Sequence, residues 1–269
     1  MASSKEILRV KTFCIITGGS RGIGRAIALA ISKQIEENSV VVITGRSVGD
    51  LNETQRLVHA ATPGVQVIPV TADLSDKSAL SSIYQKLTKD VNPEDYRHVL
   101  LVNNAASLGD VTRYIRDWSS SDVEYVQNYC MLNLTSAFLL TSHFLSKFPA
   151  REGLRRTIIN ISSVAAILPV STGGLYGMGK AARNMWFKIL AAEEPDARIL
   201  SYHPGLVDTV MFQQLSSDCP DDGARKIVTE MLAEQKQLLT PDQTATILVK
   251  ILEEDTFESG AHIDYTYLK

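Results

Sequence analysis

Short β-branched runs alternate with longer stretches of amphipathic spacing from one end of the chain to the other. That alternation predicts βαβ units and a parallel sheet. Apolar runs over 13–17, 40–44, 65–70, 99–102, 157–161, 198–202 and 261–265 predict seven strands. Most are apolar at successive positions, as expected of strands covered by helices on both faces. Helices are predicted over 22–37, 50–61, 76–90, 121–148 and 175–194, with Pro195 ending the last of these and Pro241 opening one more. The stretch 208–239 is more polar, less periodic and breaks the rhythm. Insertions at the C-terminal edge of such a sheet face the ligand, so it is expected to be a substrate lid. No repeat, low-complexity segment or linker divides the sequence. Residues 1–269 are therefore expected to form a single α/β domain of the Rossmann type, with a doubly wound parallel sheet.

Between the first strand and first helix stands Thr17-Gly18-Gly19-Ser20-Arg21-Gly22-Ile23-Gly24. A glycine-rich turn in that context lets the backbone approach a pyrophosphate, which the helix N-terminus then binds through its unpaired N–H groups. The second strand ends in Thr44-Gly45-Arg46-Ser47. An acidic residue there would favour NADH, whereas an arginine accommodates a 2'-phosphate. Arg46 thus favours NADPH, with Ser20 and Arg21 as second contacts, although either arginine can equally be a solvated surface charge. Asp73, ending the third strand, can accept a hydrogen bond from an adenine amino group or cap a helix.

The strand over 157–161 stops at two hydroxyls, Ser162 and Ser163, and Tyr176-Gly177-Met178-Gly179-Lys180 follows at the start of a helix. Residues four apart share a helix face, so the Lys180 ammonium can lie near the Tyr176 phenol. A nearby cation lowers a phenol pKa that is about 10 unperturbed, making the tyrosine a usable proton donor near neutrality. A Tyr-x-x-x-Lys pair alone is weak evidence; Ser163 and the glycine loop are what give it meaning. Ser162 is the less suitable serine because strand side chains alternate between faces.

The bulk properties set limits on partners. A net charge of -3 and a pI near 6.0 argue against a nucleic-acid or membrane surface. Three widely spaced cysteines without a Cys-x-x-Cys suit a reducing compartment. The charged N-terminus does not read as a signal peptide, and a cytoplasmic location is expected. His59, His98, His143, His203 and His262 show no metal-ligand spacing and read as structural or surface residues; no metal is expected.

These motifs resemble the short-chain dehydrogenase/reductase family, and within it the members that reduce side-chain ketones of pterins. The resemblance covers essentially the whole chain. It is carried by the segments 103–110, 132–136, 160–163, 176–182, 193–195, 204–211 and 258–264. Ala106 departs from the family, which usually has glycine there. The resemblance implies a catalytic tetrad: Ser163 polarises the carbonyl, Tyr176 protonates its oxygen, and Lys180 lowers the tyrosine pKa and binds the nicotinamide ribose. Asn133 orders a water behind Lys180. It also implies cofactor contacts from Gly18 to Gly24 and from Arg46, Ser47, Asp73, Leu74, Asn104, Pro204, Gly205, Val207, Thr209 and Met211. The pterin pocket would comprise Ser163, Val164, Tyr176, Gly205, Met211 and Asp264, with the Asp264 carboxylate pairing with the amino-pyrimidine. The bland alternatives are a solvated Asp264 and core roles for the apolar residues. The family is usually dimeric through two long helices, which here carry Phe138, Leu139, Phe144, Trp186 and Phe187; these can equally pack internally. Two other functions compete with pterin reduction. One is reduction of other vicinal diketones such as benzil, and the other a non-catalytic NADPH-binding sensor, which would usually lack the tyrosine or lysine.

Overall fold

The computed structural model describes residues 7–268; residues 1–6, which include much of the N-terminal segment discussed above, and Lys269 lie outside the described residues. Seven strands form one sheet: β1 (Thr12–Thr17), β2 (Val40–Gly45), β3 (Gln66–Thr71), β4 (His98–Asn103), β5 (Arg155–Ile161), β6 (Ala197–His203) and β7 (Ala261–Asp264). Their order is β3-β2-β1-β4-β5-β6-β7, and every neighbouring pair is parallel. The direction of winding reverses between β1 and β4. In open α/β sheets the ligand crevice lies at that switch point, outside the C-terminal strand ends.

Alternate residues along each strand feed two separate cores. Cys14, Ile16, Val41, Ile43, Leu100 and Val102 pack on one face with α1 (Gly22–Ser32), α2 (Val48–Ala61) and α9 (Pro241–Glu254). On the other face Phe13, Ile15, Val99, Leu101 and Ile158 meet α3 (Leu80–Leu87), α5 (Ser136–Lys147) and α6 (Gly174–Glu193). Burial on both faces accounts for the continuous apolar runs.

Some elements depart from the expected bounds for local reasons. Helix α3 is shorter than 76–90, because Asp76 Oδ1 accepts from the Ser78 amide in a tight turn before it and Asp90 is left-handed at φ 56° after it. The helix expected over 121–148 is α4 (Val123–Cys130) and α5 joined by a π-helical turn, Met131–Thr135, which holds Asn133. Such turns occur most often at functional positions. The polar stretch 208–239 contains two helices, α7 (Val210–Asp218) and α8 (Asp222–Gln235). Only Ala224 is buried between them, which explains the weak periodicity. A bridge between Val207 and Leu239 closes the base of this excursion.

Among the described residues, no helix is long and apolar enough to cross a membrane, and no cluster of His, Cys, Asp and Glu could hold a metal ion. Cys14, Cys130 and Cys219 are free thiols.

Two buried histidines make stability sensitive to acid. His98, bonded to Thr157 Oγ1 at 2.9 Å, is brought down to about 3 by burial and then by Arg155; His203 is brought down to about 4, chiefly by burial. Both folded-state values lie below the unfolded one near 6.5, so the unfolded chain binds more protons as acid is added. The stability they contribute is intact above about pH 6.5 and falls by about 1.4 kcal/mol per pH unit for each histidine as the pH drops toward 4. Urea denaturation at pH 7 and pH 5 should show that loss, and His98→Gln should make the slope shallower. An unchanged slope in the variant would exclude His98 as a source.

Candidate active site

The turn from β1 into α1 has a backbone only glycine can supply at several points. Gly18 and Gly22 are left-handed, at φ 67° and 55°. A Cβ on Gly24 would lie 2.1 Å from the Gly18 carbonyl oxygen, and one on Gly19 would lie 2.9 Å from Ile43. Arg21 precedes the helix in an extended conformation, and no side chain caps the first turn of α1, which also has no acidic residue. Its N–H groups are therefore open to an anion. Asn104 is turned inward: its Nδ2 donates to the carbonyls of Thr17 at 2.8 Å and Gly18 at 3.1 Å. It clamps the glycine loop.

At the end of β2, Arg46 and Ser47 are exposed, as is Arg21 in the glycine loop. Ser20 Oγ lies 3.1 Å from the position a Cβ on Gly45 would take, so the two loops touch. Ser47 Oγ accepts from the Asp50 amide and caps α2. Asp73 accepts from the Ser75 amide and hydroxyl at 2.9 and 2.6 Å; the Ser75 hydroxyl bond is the main cause of its lowered pKa, with a smaller contribution from Arg46. The Leu74 side chain is buried in the core. Arg25, which sequence reasoning passed over, joins the glycine loop to the first turns of α2. It donates to the carbonyls of Ser20 at 2.5 Å and Asp50 at 3.2 Å and to Thr54 Oγ1 at 3.0 Å.

The candidate chemistry sits where β5 ends and α6 begins. Ser163 Oγ caps the turn Val164–Ala166 by accepting from the Ala165 amide at 3.2 Å, while Ser162 points the other way to Asn184 Oδ1 at 2.7 Å. The expected alternation holds. Lys180 is buried, and its Nζ lies 5.5 Å from the Tyr176 ring centroid and donates to the Ile161 carbonyl at 2.6 Å. The two side chains are brought together, but their electrostatics differ from expectation. Burial raises the Tyr176 pKa above its ordinary value; a hydrogen bond from Ser163 and the charge of Arg183 pull it down. Burial, then Arg183, holds Lys180 well below its ordinary value.

Asn133 is also buried, with Nδ2 donating to the Tyr129 carbonyl and Oδ1 accepting from the Ser107 amide. It ties the π-helical turn to the loop after β4. On the side of 208–239, Gly205 is left-handed at φ 80°, and a Cβ there would lie 2.8 Å from the Tyr265 ring. Thr209 Oγ1 caps α7, and its methyl lies 3.7 Å from the Cβ position of Gly22, so the start of α7 covers the glycine loop. Pro204 and Val207 are buried beneath it, and Met211 is half-buried. Asp264 is half-buried at the end of β7, beside His203 across the strand pair. Its Oδ1 accepts from the Thr266 amide and hydroxyl.

A family model described as short chain dehydrogenase matches residues 12–220. The chain belongs to the short-chain dehydrogenase/reductase family. Sepiapterin reductase from Bos taurus is 42% identical over 255 residues, which span 95% of this chain and 94% of that protein. The benzil reductase ((S)-benzoin forming) of Bacillus subtilis is 27% identical over 254 residues, 93% of this chain and 96% of that one. Among solved structures, L-sorbose reductase from Gluconobacter frateurii in complex with NADPH and L-sorbose superposes with a TM-score of 0.77 at 25% identity, covering 96% of each chain.

For a short-chain dehydrogenase/reductase, an oxidoreductase by family, the largest feature missed in the sequence is Arg183. Tyr176, Lys180 and Arg183 fall at i, i+4 and i+7, one face of α6, and that spacing was the available signal.

Proposed function

We propose that this oxidoreductase is an NADPH-dependent carbonyl reductase acting on the side-chain ketones of pterins. The observation that carries the reading is the meeting of Ser163, Tyr176 and Lys180 at the C-terminal edge of the sheet, the edge that also carries the glycine turn after β1. The donor set suits a dinucleotide: Gly18 to Gly24, with Ile23 among them, offer backbone N–H groups to the pyrophosphate. Arg46 and Arg21, with Ser20 and Ser47, face a 2'-phosphate, and NADPH stands in the complex of the sorbose reductase. Asp73 and the Leu74 backbone would hold the adenine, and Pro204, Gly205, Val207, Thr209 and Met211 would hold the nicotinamide end. The bound cofactor supplies hydride to the carbonyl carbon. Tyr176 gives its phenolic proton to the carbonyl oxygen, to which Ser163 also donates, so that both stabilise the charge that grows there. Lys180 holds the ribose, and Asn133 orders the water that links it to solvent.

The substrate class rests on the sepiapterin reductase relatives and on Asp264, whose Oδ1 is held by Thr266 and whose Oδ2 is left to accept from an amino-pyrimidine N–H. Val164, Gly205 and Met211 form the pocket wall, and 208–239 is its lid. Benzil-type diketones are the second reading, favoured by the Bacillus relatives. Asp264→Ala separates the two: turnover of sepiapterin should fall about 10-fold or more, the worth of a charged hydrogen bond, while benzil turnover is spared. Equal effects on both substrates would count against the pterin pocket.

We further infer a cytoplasmic homodimer. Phe138 and Leu139 of α5 and Met185 and Ile189 of α6 are exposed on a shared apolar face, with Phe138 edge-on to Trp186. Phe144 and Phe187, also expected at that interface, are fully buried core residues.

A further inference from the structure

The segment 208–239 is held at its two ends and hardly in between. At its base the Val207–Leu239 bridge is reinforced by Gln235, whose Nε2 donates to the Leu206 carbonyl at 2.6 Å and whose Oε1 accepts from the Leu206 amide at 2.8 Å. Along α7 and α8 only Ala224 is buried. The far end, the turn between the two helices, is preformed: Arg225 Nε and Nη2 donate to the Cys219 carbonyl at 2.9 and 2.8 Å, and Asp221 Oδ1 accepts from the Ala224 amide at 2.7 Å.

Side chains from the loops after β4 and β5 reach that turn. The Tyr114 hydroxyl donates to Asp221 Oδ2 at 2.9 Å, and Thr172, between Ser163 and Tyr176, meets Cys219 Sγ at 3.4 Å. The first loop is a fixed platform, because Arg113 pairs with Asp110 at 2.7 Å and Asp122 at 3.0 Å and lies 3.8 Å over the Trp118 ring. Arg116 lies in turn over the Tyr114 ring at 4.5 Å. The second loop borders an open cavity of about 840 Å³ shared with Tyr114 and Met178, and its Ile167 and Leu168 are exposed. Core packing therefore does little to place it. Its Thr172 is buried yet left-handed at φ 62°, a conformation that a β-branched residue rarely adopts and that persists only where the surroundings impose it. Cys219, also buried, is the neighbour at its hydroxyl. The Ala224 amide and then the Tyr114 hydroxyl hold the Asp221 carboxyl below its ordinary value, so at neutral pH the bond runs from a phenol to a carboxylate, the stronger kind.

We propose that Tyr114 and Asp221 are positioning residues that latch the lid: their bond fixes the turn between α7 and α8 against the loop from Ser163 to Tyr176 and so holds the substrate pocket closed. The inference rests on reading 208–239 as the lid of a carbonyl reductase. With the base clamped by Gln235 and so little buried along the helices, freeing the tip leaves the excursion hinged at its base.

Tyr114→Phe removes the hydroxyl and keeps the ring under Arg116. Asp221→Asn removes the Oδ2 acceptor and keeps an oxygen for the Ala224 amide. In either variant, amide hydrogen exchange over 215–228 should speed up by about 10-fold, as loss of one hydrogen bond to a charged group implies, while exchange in β1 to β6 and the Tm stay as in the parent protein. The KM for sepiapterin should rise about 5-fold as the closed population falls, with kcat unchanged or higher and NADPH affinity unchanged. The double variant should match either single one, because both remove the same bond. Unchanged exchange over 215–228, effects that multiply in the double variant, or a lower kcat at constant KM would each overturn the proposal. So would faster exchange throughout the sheet with a lower Tm, the mark of a merely structural role. Tyr114→Phe decides the matter if Asp221→Asn does not fold. A parent protein inert toward both sepiapterin and benzil would refute the reductase reading instead, and the exchange measurement, which needs no substrate, then decides the latch by itself.

Discussion

Replacing Tyr176 by phenylalanine is expected to lower carbonyl reduction by roughly 100-fold or more, the usual contribution of a general acid. Phenylalanine keeps the ring that lies 5.5 Å from the Lys180 ammonium, so the α6 packing survives and only the hydroxyl is lost. Ser163 then remains as a hydroxyl at the substrate oxygen and cannot supply a proton of comparable acidity, because an aliphatic hydroxyl is a far weaker acid than a phenol. NADPH affinity should be almost unchanged, since the glycine loop and Arg46 are untouched. Steady-state kinetics combined with a fluorescence titration of the cofactor separates the two effects. Near-normal turnover would remove Tyr176 from the chemistry, whereas lost cofactor binding would mean that the variant had disturbed the crevice.

The second large effect concerns the choice of cofactor. Arg46→Asp reverses an exposed charge just after β2. A carboxylate there repels a 2'-phosphate and accepts from ribose hydroxyls, so the preference for NADPH over NADH should fall by roughly 100-fold. Ser20 and Ser47 remain, and Arg25 still fixes both loops through the Ser20 and Asp50 carbonyls. Any change in ratio is thus attributable to the charge, not to a collapsed loop. An unchanged ratio of kcat/KM values would transfer phosphate recognition from Arg46 to Arg21.

The sheet was legible because its strands are apolar at successive positions: the seven runs seen in the sequence are the seven strands, each displaced by a residue or two at its ends. The glycine loop and the Ser163, Tyr176 and Lys180 set were legible because tight turns and helix faces impose fixed spacings. What spacing does not encode is the direction a side chain takes once buried. Asn104 reads like a cofactor contact, and spacing gave no sign that its Nδ2 ties down the Thr17 and Gly18 carbonyls. Arg183 and Arg25 look like ordinary surface charges in a sequence, since arginine is seldom buried; each is placed by backbone carbonyls that only the fold assembles. The sign of the Tyr176 shift was missed for the same reason. Proximity to Lys180 follows from i, i+4, but the desolvation that weakens the lysine and raises the phenol belongs to the packed interior. The segment 208–239 was legible as an interruption only, because helices with so few buried residues carry almost no periodic signal.

NADPH oxidation by the purified protein, followed with sepiapterin, benzil and a simple monoketone in parallel, tests the central claim most directly. Turnover that is fastest with sepiapterin, weaker with benzil and abolished for both by Tyr176→Phe is the expected result. Tight NADPH binding with no oxidation on any of the three carbonyls would contradict it and leave the protein a cofactor-binding sensor.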